Sequence, residues 1–401
     1  MARRSGRSLR ALVIAPQPFF TPRGTPLSVY YRTLVTAEQG VEVDLLTYGQ
    51  GQDVAIEGVR IIRIPPFRGF GEVKIGPSLL KLFHDVFLIA WTVALLLRNR
   101  YDFVHAHEEA VFFCRALKAI FRFKLVYDMH SSLPQQLTNF GFTKSKALIG
   151  AFRWLENTSL RGADAVITIC PDLANYATGL LDDDGKHFLI ENSIFEDVRL
   201  AARESATAAG GTAEPTDWLP DSRPVVVYAG TLEPYQGIDL LVRAFAEVHR
   251  TCPEAFLLVV GGTPAQVETY RALASELGLD DDCRFTGRVP KAVAQALCAR
   301  ATVQVSPRIR GTNTPLKVYE QLASGIPLVA TDIYSHRQVL DDDVAFLTAP
   351  EPEAFADGVI TALSQEEERA RRIAAAKRLY TEKYARDVYV DKMRRLLDRI
   401  S

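Results

Sequence analysis

The sequence lacks the residue patterns that mark several common classes of functional site. Its five cysteines form no Cys-x-x-Cys pair, which argues against a zinc site or a disulfide framework and favours reduced thiols in a cytoplasmic protein. The 47 lysines and arginines balance 48 aspartates and glutamates, so the net charge of -1 provides no overall basic field for nucleic acid. No Gly-x-Gly-x-x-Gly motif follows an apolar run, which disfavours a nicotinamide-dependent dehydrogenase.

The amino-terminal segment does not have the pattern of a secretory signal. Residues 1–10 carry four arginines, but the apolar run that follows at residues 11–15 is too short for the hydrophobic part of a signal peptide and ends at Pro16. We interpret the segment as a basic arm followed by a first strand.

The chain is long enough for two domains of ordinary composition. Its 401 residues exceed the size of one typical core, and 48% hydrophobic and 24% charged residues are normal for a globular protein. Seven short apolar runs in the first half and five in the second alternate with helical stretches, which predicts two α/β domains with parallel sheets. Both are expected to be Rossmann-like, with sheets facing a central cleft that holds the ligand.

Composition also places the domain boundaries. Residues 1–200 form the predicted N-terminal domain, and residues 224–384 form the predicted C-terminal domain. Residues 201–223 between them are rich in Ala, Gly, Thr and Pro and are the predicted linker. The chain ends in a charged helical stretch with a break near Tyr384, and the helix at 385–401 is predicted to pack back onto the first domain.

The most informative segment is VSPRIRGTNTPLKVYEQLASGIPLVATD at residues 305–332. It is typical of a strand, a polar loop, a helix and a second strand, with Pro315 in the first helical turn and Gly325 just beyond the last. Thr312 or Asn313 is the predicted helix cap.

The start of this predicted helix combines unpaired backbone amides with positive side chains. Arg308 and Arg310 lie in the loop and Lys317 lies in the first turn, so the segment is suited to bind an anion, most simply a diphosphate. Glu320, about one turn further on, is placed to hydrogen-bond two vicinal ribose hydroxyls. Taken alone, the pattern also fits an ordinary capped helix with solvated charges, and that alternative stays open at this point.

The segment is similar to the donor-site motif of the retaining family 4 glycosyltransferases (glycosyl transferases group 1), which have the GT-B fold. Other segments resemble motifs of that family in the same order: DFVHAH at 102–107 with VYDMH at 126–130, VYAGTLEPYQGIDLL at 227–241, and RFTGRVP at 284–290. The resemblance covers nearly the whole chain, and it implies that the domain at residues 1–200 lies on the acceptor side and that the domain at residues 224–384 binds the donor. It implies a metal-independent glycosyltransferase of the hexosyltransferase type, which moves a sugar from a nucleotide-diphospho-sugar donor to a hydroxyl acceptor without a cofactor.

The resemblance also assigns residues to the site. Asp128 and His130 are the expected catalytic residues, with His130 contacting the transferred sugar or orienting the acceptor. The implied donor-binding residues are Gly24, Thr25, Thr231, Gln236, Arg288, Pro290, Arg308, Thr312, Thr314, Leu316, Lys317 and Glu320. Retaining transfer in this family is assisted by the leaving diphosphate, so the protein is expected to contribute positioning and charge stabilisation. A structural histidine at 130 and a plain turn at Gly24 and Thr25 are the alternatives.

Three positions depart from the family pattern. The first of its two glutamates falls on Thr312, and its cation pair falls on Thr231 and Gln236. We hypothesise that Arg308 and Lys317 supply the missing charge from the other side of the cleft. The departures leave two alternatives open, a sugar-nucleotide-binding protein with weak or no transferase activity and a nucleotide-sugar epimerase.

One pattern in the first half raises the question of a metal. His105 and His107 alternate on a predicted strand and face the same side, with Glu108 next to them. No third ligand is evident in the sequence, so we expect no metal.

Residues 79–97 are nearly all apolar, although their uninterrupted part is shorter than a bilayer span. The polar side chains fall on one side of the predicted helix: Lys81, His84, Asp85 and Thr92. The helix is therefore either buried against the sheet or placed in a membrane interface, where Arg98, Arg100 and the basic arm suit anionic headgroups.

The interfacial alternative has consequences for partners and localisation. It implies peripheral inner-membrane contact through residues 79–98, a protein on the cytoplasmic face, and an acceptor that is a lipid-linked or envelope glycan. The expected partners are thus a nucleotide-sugar donor and a glycan or lipid-linked acceptor, and no nucleic acid.

Overall fold

A computed structural model describes residues 8–21, 24–67, 71, 73, 78–134, 145–192, 218–220 and 222–401. The basic arm up to Arg7, residues 22–23 of the loop after the first strand, and the predicted linker as far as residue 217 lie outside the described residues. The chain divides into two compact units, Met1–Ala206 with Arg386–Ser401, and Thr207–Ala385.

The first unit is built on a parallel sheet of seven strands among the described residues, in the order β3-β2-β1-β4-β5-β6-β7. Its elements are β1 (Arg10–Ala15), α1 (Gly24–Glu38), β2 (Glu42–Thr47), β3 (Val59–Arg63), α2 (Leu79–Arg98), β4 (Phe103–His107), α3 (Ala110–Phe121), β5 (Lys124–Met129), α4 (Lys146–Gly162), β6 (Ala165–Thr168), α5 (Pro171–Thr178) and β7 (His187–Leu189). The strand order reverses between β1 and β4, and ligands of such sheets bind beyond the strand ends at that place.

The central strands of this sheet are apolar because helices cover both of its faces. All five residues of β4 are buried, and one core cluster packs α1 against one face. A second cluster packs the inner sides of α2, α3, α4 and α5 against the other face. A continuous apolar run is what a parallel strand buried on both sides requires.

The second unit repeats the design with a parallel sheet in the order β10-β9-β8-β11-β12-β13. Its elements are β8 (Val225–Ala229), α6 (Ile238–Thr251), β9 (Phe256–Val260), α7 (Pro264–Glu276), β10 (Cys283–Gly287), α8 (Lys291–Ala299), β11 (Val303–Ser306), α9 (Lys317–Ser324), β12 (Leu328–Thr331), α10 (Tyr334–Arg337), β13 (Phe346–Thr348), α11 (Pro352–Ser364) and α12 (Glu366–Leu379). The five apolar runs of the sequence match β8 to β12, whereas β13, an edge strand of three residues, was not predicted.

A last helix, α13 (Arg386–Ile400), follows a π-helical turn at Tyr380–Tyr384 and belongs to the first unit. Its buried side joins the core cluster around α1 through Tyr389, Met393, Leu396, Leu397 and Ile400. The first unit is therefore completed by a helix that follows the second unit in sequence.

Helix α2 buries two polar residues together with Leu88 and Leu96, and it leaves other large apolar residues exposed to solvent. His84 and Thr92 are fully buried, whereas Leu82 and Val86 are 61% and 59% exposed. The helix is continuous over 20 residues and is long and apolar enough to cross a membrane by length and composition alone, although its uninterrupted apolar part remains shorter than a bilayer span. Buried core helices pass the same test, but only 22% of its most apolar window is buried.

Candidate functional site

The two residues expected to be catalytic lie at the carboxyl end of the sheet in the first unit. Asp128 is near the end of β5, and His130 follows that strand directly. The register of β4 and β5 pairs His107 with Asp128 and His105 with Val126, so both strand histidines lie beside the carboxylate. The edge between β4 and β5 thus collects one acid and three imidazoles.

Asp128 is the centre of this cluster. Its Oδ2 lies 3.0 Å from Nε2 of His105 and 3.4 Å from Nδ1 of His107, and its Oδ1 lies 3.2 Å from Nε2 of His130. His107 and His130 are themselves 3.0 Å apart, Nδ1 to Nε2. All four side chains are buried, so water does not screen these electrostatic contacts.

A fully buried arginine from α1 balances the charge of Asp128. Nε of Arg32 lies 2.5 Å from Oδ2 of Asp128. The Arg32 guanidinium also donates to the carbonyl of Ile190 (2.8 Å), to the hydroxyl of Tyr389 on α13 (3.3 Å) and to Oδ1 of Asn192 (3.5 Å). Sequence reasoning missed Arg32, although a lone arginine among the apolar residues of α1 is a usable signal for a buried ion pair.

The environment fixes the protonation of the cluster. Burial raises the pKa of Asp128, but Arg32 together with His130 and His107 outweighs this effect and holds that pKa well below its usual range. Burial lowers the pKa of His130 to about 4 and that of His107 well below its ordinary value, despite the attraction of Asp128. At neutral pH the carboxylate is ionised and both histidines are neutral, able to donate or accept a hydrogen bond.

His105, His107 and Asp128 place three potential metal-ligating atoms within 4.8 Å of one another. Asp128 is the third ligand that the sequence did not reveal. Its Oδ2, however, is already in contact with the guanidinium of Arg32 at 2.5 Å, and a dication bound there would face a second positive charge at close range. The donor set fits a hydrogen-bonded ion pair better than a metal site, and the absence of a metal remains an expectation.

The turn after β4 has an unusual backbone. Glu108 has a φ of 50°, a left-handed conformation that side-chain-bearing residues seldom adopt. Burial raises the pKa of the Glu108 carboxyl to about 7, although nearby Lys81 acts in the opposite direction. Glu109, the residue after Glu108, forms an ion pair with Lys81 of α2 at 2.5 Å. Strained backbone held by its surroundings is found preferentially at functional sites.

In the second unit, the predicted donor segment forms a loop after β11 followed by α9. The helix begins at Lys317 with Leu316 as its first flanking residue, and no side chain caps it. The prediction that Thr312 or Asn313 is the cap is therefore wrong. Instead the carbonyl of Pro315 accepts a hydrogen bond from the amide of Val318 (3.0 Å), so a tight turn leads into the helix and Pro315 precedes it.

Lys317 is the most unusual charged residue of this segment. Its Nζ is buried 3.9 Å above the ring centroid of Tyr228, and none of the described residues accepts a hydrogen bond from it. Burial, reinforced by repulsion from Arg308, lowers the pKa of Lys317 to about 7. A buried ammonium without a carboxylate partner is costly, and it is a common property of sites prepared for an anion.

Two more of the predicted donor-binding residues have buried polar atoms without a partner among the described residues. These are Oε1 of Gln236 and Oγ1 of Thr314. Most buried polar groups in native proteins are hydrogen-bonded, so unpaired ones call for an explanation, and a missing ligand is one.

Arg308 lies beside the turn in which the family's cation pair is replaced. Its guanidinium is 5.4 Å from the ring centroid of Tyr235, and the amide of Ile309 donates to the carbonyl of Tyr235 (3.0 Å). Gly237 permits this approach, because a Cβ there would lie 2.1 Å from the carbonyl oxygen of Pro307. Arg308 thus brings a positive charge next to the turn that contains Thr231 and Gln236.

The remaining predicted donor residues lie at strand or helix ends. Thr231, Arg288, Pro290, Thr312 and Glu320 are exposed. Arg288 follows β10 and Pro290 precedes α8, and Thr312 is held by its carbonyl, which accepts from Gln338. In the first unit, Gly24 and Thr25 begin α1.

A buried polar network behind the Arg308 loop was not predicted from the sequence. His336 of α10 contacts Oγ of Ser306 through Nε2 (2.9 Å) and the carbonyl of Thr331 through Nδ1 (2.8 Å). The hydroxyl of Thr331 donates in turn to the carbonyl of Arg308. The network ties the ends of β11 and β12 to the loop, which fixes the backbone at Arg308.

Comparison with known protein families gives two adjacent matches. Residues 32–192 match the glycosyl transferase 4-like domain, and residues 215–379 match the glycosyl transferases group 1 family. The two regions lie in the first and second units respectively and together span most of the chain.

Curated relatives are similar over different lengths. A D-inositol 3-phosphate glycosyltransferase of Corynebacterium glutamicum is 25% identical over 369 residues, covering 86% of this chain and 85% of the relative. A GDP-mannose-dependent alpha-(1-6)-phosphatidylinositol monomannoside mannosyltransferase of Mycolicibacterium smegmatis is 40% identical over 114 residues, 27% of this chain and 30% of the relative. The second similarity therefore spans less than a third of that relative's length.

Solved structures share the fold over the full chain. Sucrose-phosphate synthase from Thermosynechococcus elongatus has a TM-score of 0.73 at 20% identity and covers 98% of this chain and 99% of that chain. HepE of Anabaena, in complex with UDP and glucose, has a TM-score of 0.70 at 16% identity, and the match covers 97% of this chain and 99% of that chain. The family matches, the paired parallel sheets and these neighbours agree: the chain belongs to the glycosyl transferases group 1 family and is a glycosyltransferase with the GT-B fold.

Proposed function

We propose that the chain transfers a sugar, with retention of configuration, from a nucleotide-diphospho-sugar to a hydroxyl acceptor. The observation that carries this proposal is the buried, unpartnered ammonium of Lys317 at the start of α9, with Arg308 and Thr314 nearby in the sequence. A diphosphate supplies the negative charge and the acceptor oxygens that these groups lack, and the charge increases as the glycosidic bond to the leaving group breaks. Binding that strengthens in this way lowers the barrier to transfer.

The other residues have complementary roles in this proposal. Arg308 compensates for the family cations that are missing at Thr231 and Gln236, because its guanidinium lies beside that turn. Exposed Glu320 accepts hydrogen bonds from the ribose hydroxyls, and Arg288 and Pro290 flank the base. In the first unit, neutral His130, oriented by Asp128, contacts the sugar or the acceptor hydroxyl. No metal or organic cofactor is part of the proposal.

Donor screening tests the proposal. The protein is incubated with UDP- and GDP-linked sugars, binders are identified by thermal shift, and release of the nucleoside diphosphate is then measured with hydroxyl acceptors. We expect one donor class to bind and to be consumed, and His130→Ala to lose turnover while it still binds that donor. Binding without turnover on any acceptor would favour a sugar-nucleotide-binding protein, and a changed but still nucleotide-linked sugar would favour an epimerase.

Donor binding is expected to be linked to proton uptake at Lys317. In the ligand-free protein the pKa of Lys317 is lowered to about 7 by burial and by Arg308, so a large fraction of the amine is neutral above that pH. A diphosphate favours the charged form, and its affinity should therefore fall as the pH rises from 7 to 9, with uptake of up to about one proton.

Calorimetry with UDP and GDP in buffers of different ionisation enthalpy measures this proton uptake. The Lys317→Met variant should take up no proton at residue 317 on binding. Its affinity for the nucleoside diphosphate should be weaker than that of the native protein and should not vary between pH 7 and 9. Affinity of the native protein that stays constant between pH 7 and 9 would contradict the linkage.

We also propose that the protein binds the cytoplasmic face of a membrane through α2 and uses a lipid-linked acceptor. The exposed apolar side of α2 supports this, because Leu82 and Val86 face solvent although Leu88 and Leu96 already join the core on the buried side of the helix. The similarity to a phosphatidylinositol monomannoside mannosyltransferase is consistent with an acceptor of this class.

Charged substitutions on the outer side of α2 test this placement. Leu82→Glu with Val86→Glu should abolish co-sedimentation with vesicles and leave the thermal unfolding midpoint nearly unchanged, since both side chains are exposed. Ala272→Glu with Ser275→Glu, at exposed positions of α7, adds the same charge in the second unit and should not affect vesicle binding. Equal vesicle binding by both double variants would count against α2 as the contact.

A further inference from the structure

The exposed apolar side chains of the described residues are concentrated on three helices. Of nine large exposed hydrophobic residues, seven lie on α2, α3 and α4: Leu79, Leu82, Val86, Leu97, Ile120, Leu148 and Trp154. Helix α3 packs against both α2 and α4, and the inner sides of all three cover the same face of the sheet. Their outer sides lie next to one another, and we call the exposed side of these three helices the three-helix face.

The three-helix face also has an excess of basic side chains. Every residue of these helices is described, and their only acids are Asp85, which accepts from the hydroxyl of Tyr48 (2.5 Å), and Glu156, which is fully buried and accepts from Ser132 (2.8 Å). Acids next to the helix ends balance part of the positive charge, since Glu109 pairs with Lys81, and Asp164 pairs with Lys118 and Lys124. Exposed basic residues beyond these pairs occur on the helices and just after them: Arg98, Arg100, Arg115, Arg122, Lys146, Arg153 and Arg161. In a chain of net charge -1, this is a local excess of positive charge.

We infer that the three-helix face is a docking surface for an anionic lipid bilayer, which extends the α2 contact proposed above across α3 and α4. Trp154, 62% exposed, and the leucines enter the headgroup region, where amphipathic rings and apolar chains are favoured. The basic side chains contact lipid phosphates, and each adds to the binding while the ionic strength is moderate. Nucleic acid matches the charge but leaves the exposed leucines and tryptophan without an apolar environment.

Trp154 is a natural probe of this surface. Of the three tryptophans, Trp91 and Trp218 are replaced by phenylalanine so that fluorescence reports Trp154 alone. Vesicles of phosphatidylcholine mixed with phosphatidylglycerol should shift its emission to shorter wavelength, whereas vesicles of phosphatidylcholine alone should do so weakly, and high salt should reverse the shift. No shift with either composition would overturn the inference.

Charge reversal separates this surface from the α2 contact. Lys146→Glu with Arg153→Glu, both exposed on α4, should weaken binding to the anionic vesicles by about tenfold or more. Arg394→Glu with Arg395→Glu on α13, which covers the opposite face of the sheet, changes the net charge equally and should leave binding within about twofold. Thermal unfolding of each variant checks that it is folded.

The outcomes are distinguishable from failure of the proposals on which this inference rests. Binding that is lost with Leu82→Glu and Val86→Glu but insensitive to the α4 reversal would leave α2 as the contact and overturn the wider surface. Absence of any vesicle binding would overturn both. Sugar transfer is measured separately on a detergent-solubilised or short-chain acceptor, so its failure bears on the transferase proposal and not on this surface.

Discussion

Replacement of Asp128 by asparagine is expected to destabilise the first unit by about 3–5 kcal/mol. The substitution keeps the shape of the side chain but leaves the guanidinium of Arg32, which is fully buried, without its counter-ion at 2.5 Å. It also replaces one of the two carboxylate oxygens that contact His105, His107 and His130 with an NH2 group, which can only donate. Urea unfolding followed by Trp91 fluorescence, with the other two tryptophans replaced by phenylalanine, measures the loss in this unit.

The pH dependence of this loss has a definite sign. Because Arg32 and the histidines hold the folded-state pKa of Asp128 well below its ordinary value, the stabilisation is present above the unfolded-state pKa of about 4 and decreases as the pH falls below it. The difference between the native protein and Asp128→Asn should therefore be constant from pH 5 to 8 and shrink only in more acidic solution.

Two controls make the prediction specific. Asp332→Asn breaks an exposed pair with Arg337 and should cost at most about 1 kcal/mol. Arg32→Met combined with Asp128→Asn removes the orphaned charge and should recover part of the stability. If the double variant were as unstable as the sum of the two single variants, the ion pair would not be the source of the effect.

Replacement of Lys317 by methionine is expected to separate activity from stability. Loss of the ammonium should lower kcat/KM by about 100-fold or more, because a charge-assisted contact to the departing diphosphate disappears. The same change should stabilise the second unit, since the lysine is buried without an anionic partner. With a pKa lowered from 10.5 to about 7 by burial and Arg308, the gain is on the order of 5 kcal/mol at most.

The pH dependence again follows from the direction of the shift. The cost of burying Lys317 is fully present below pH 7 and disappears as the pH rises toward 10.5, where the amine is neutral in the unfolded chain as well. The stability advantage of Lys317→Met should decrease accordingly. Lys383→Met, at an exposed position of the same unit, should change neither kcat/KM nor the stability of the second unit. Normal donor turnover in Lys317→Met would contradict the assigned role.

Local sequence signals predicted much of the fold for a physical reason. Parallel strands covered on both faces must be apolar throughout, so β1, β4 and β8 are visible as short apolar runs. Strand β13 was missed although Val-Ala-Phe-Leu at residues 344–347 is a short apolar run, because the strand itself has only three residues, of which one is buried. The start of α9 was misjudged because Thr312 and Asn313 are good capping residues, but a turn through Pro315 leads into the helix instead.

Long-range contacts were beyond these signals. The hydrogen bond between Arg32 and Tyr389 joins residues 357 positions apart, and nothing in the spacing of the motifs indicates it. Likewise, the sequence showed that the polar residues of α2 share one side but could not decide which side faces the protein. That decision depends on Tyr48 and Glu109, which supply the partners of Asp85 and Lys81.

The place of α13 has a consequence for biosynthesis. The residues that complete the core around α1, among them Tyr389, Met393 and Ile400, are translated after the whole second unit. The second unit is continuous in sequence and finishes its sheet earlier, whereas the first unit, although its translation begins first, keeps an apolar surface uncovered until α13 has been translated. Nascent chains stalled before α13 should accordingly depend on chaperones through their first unit.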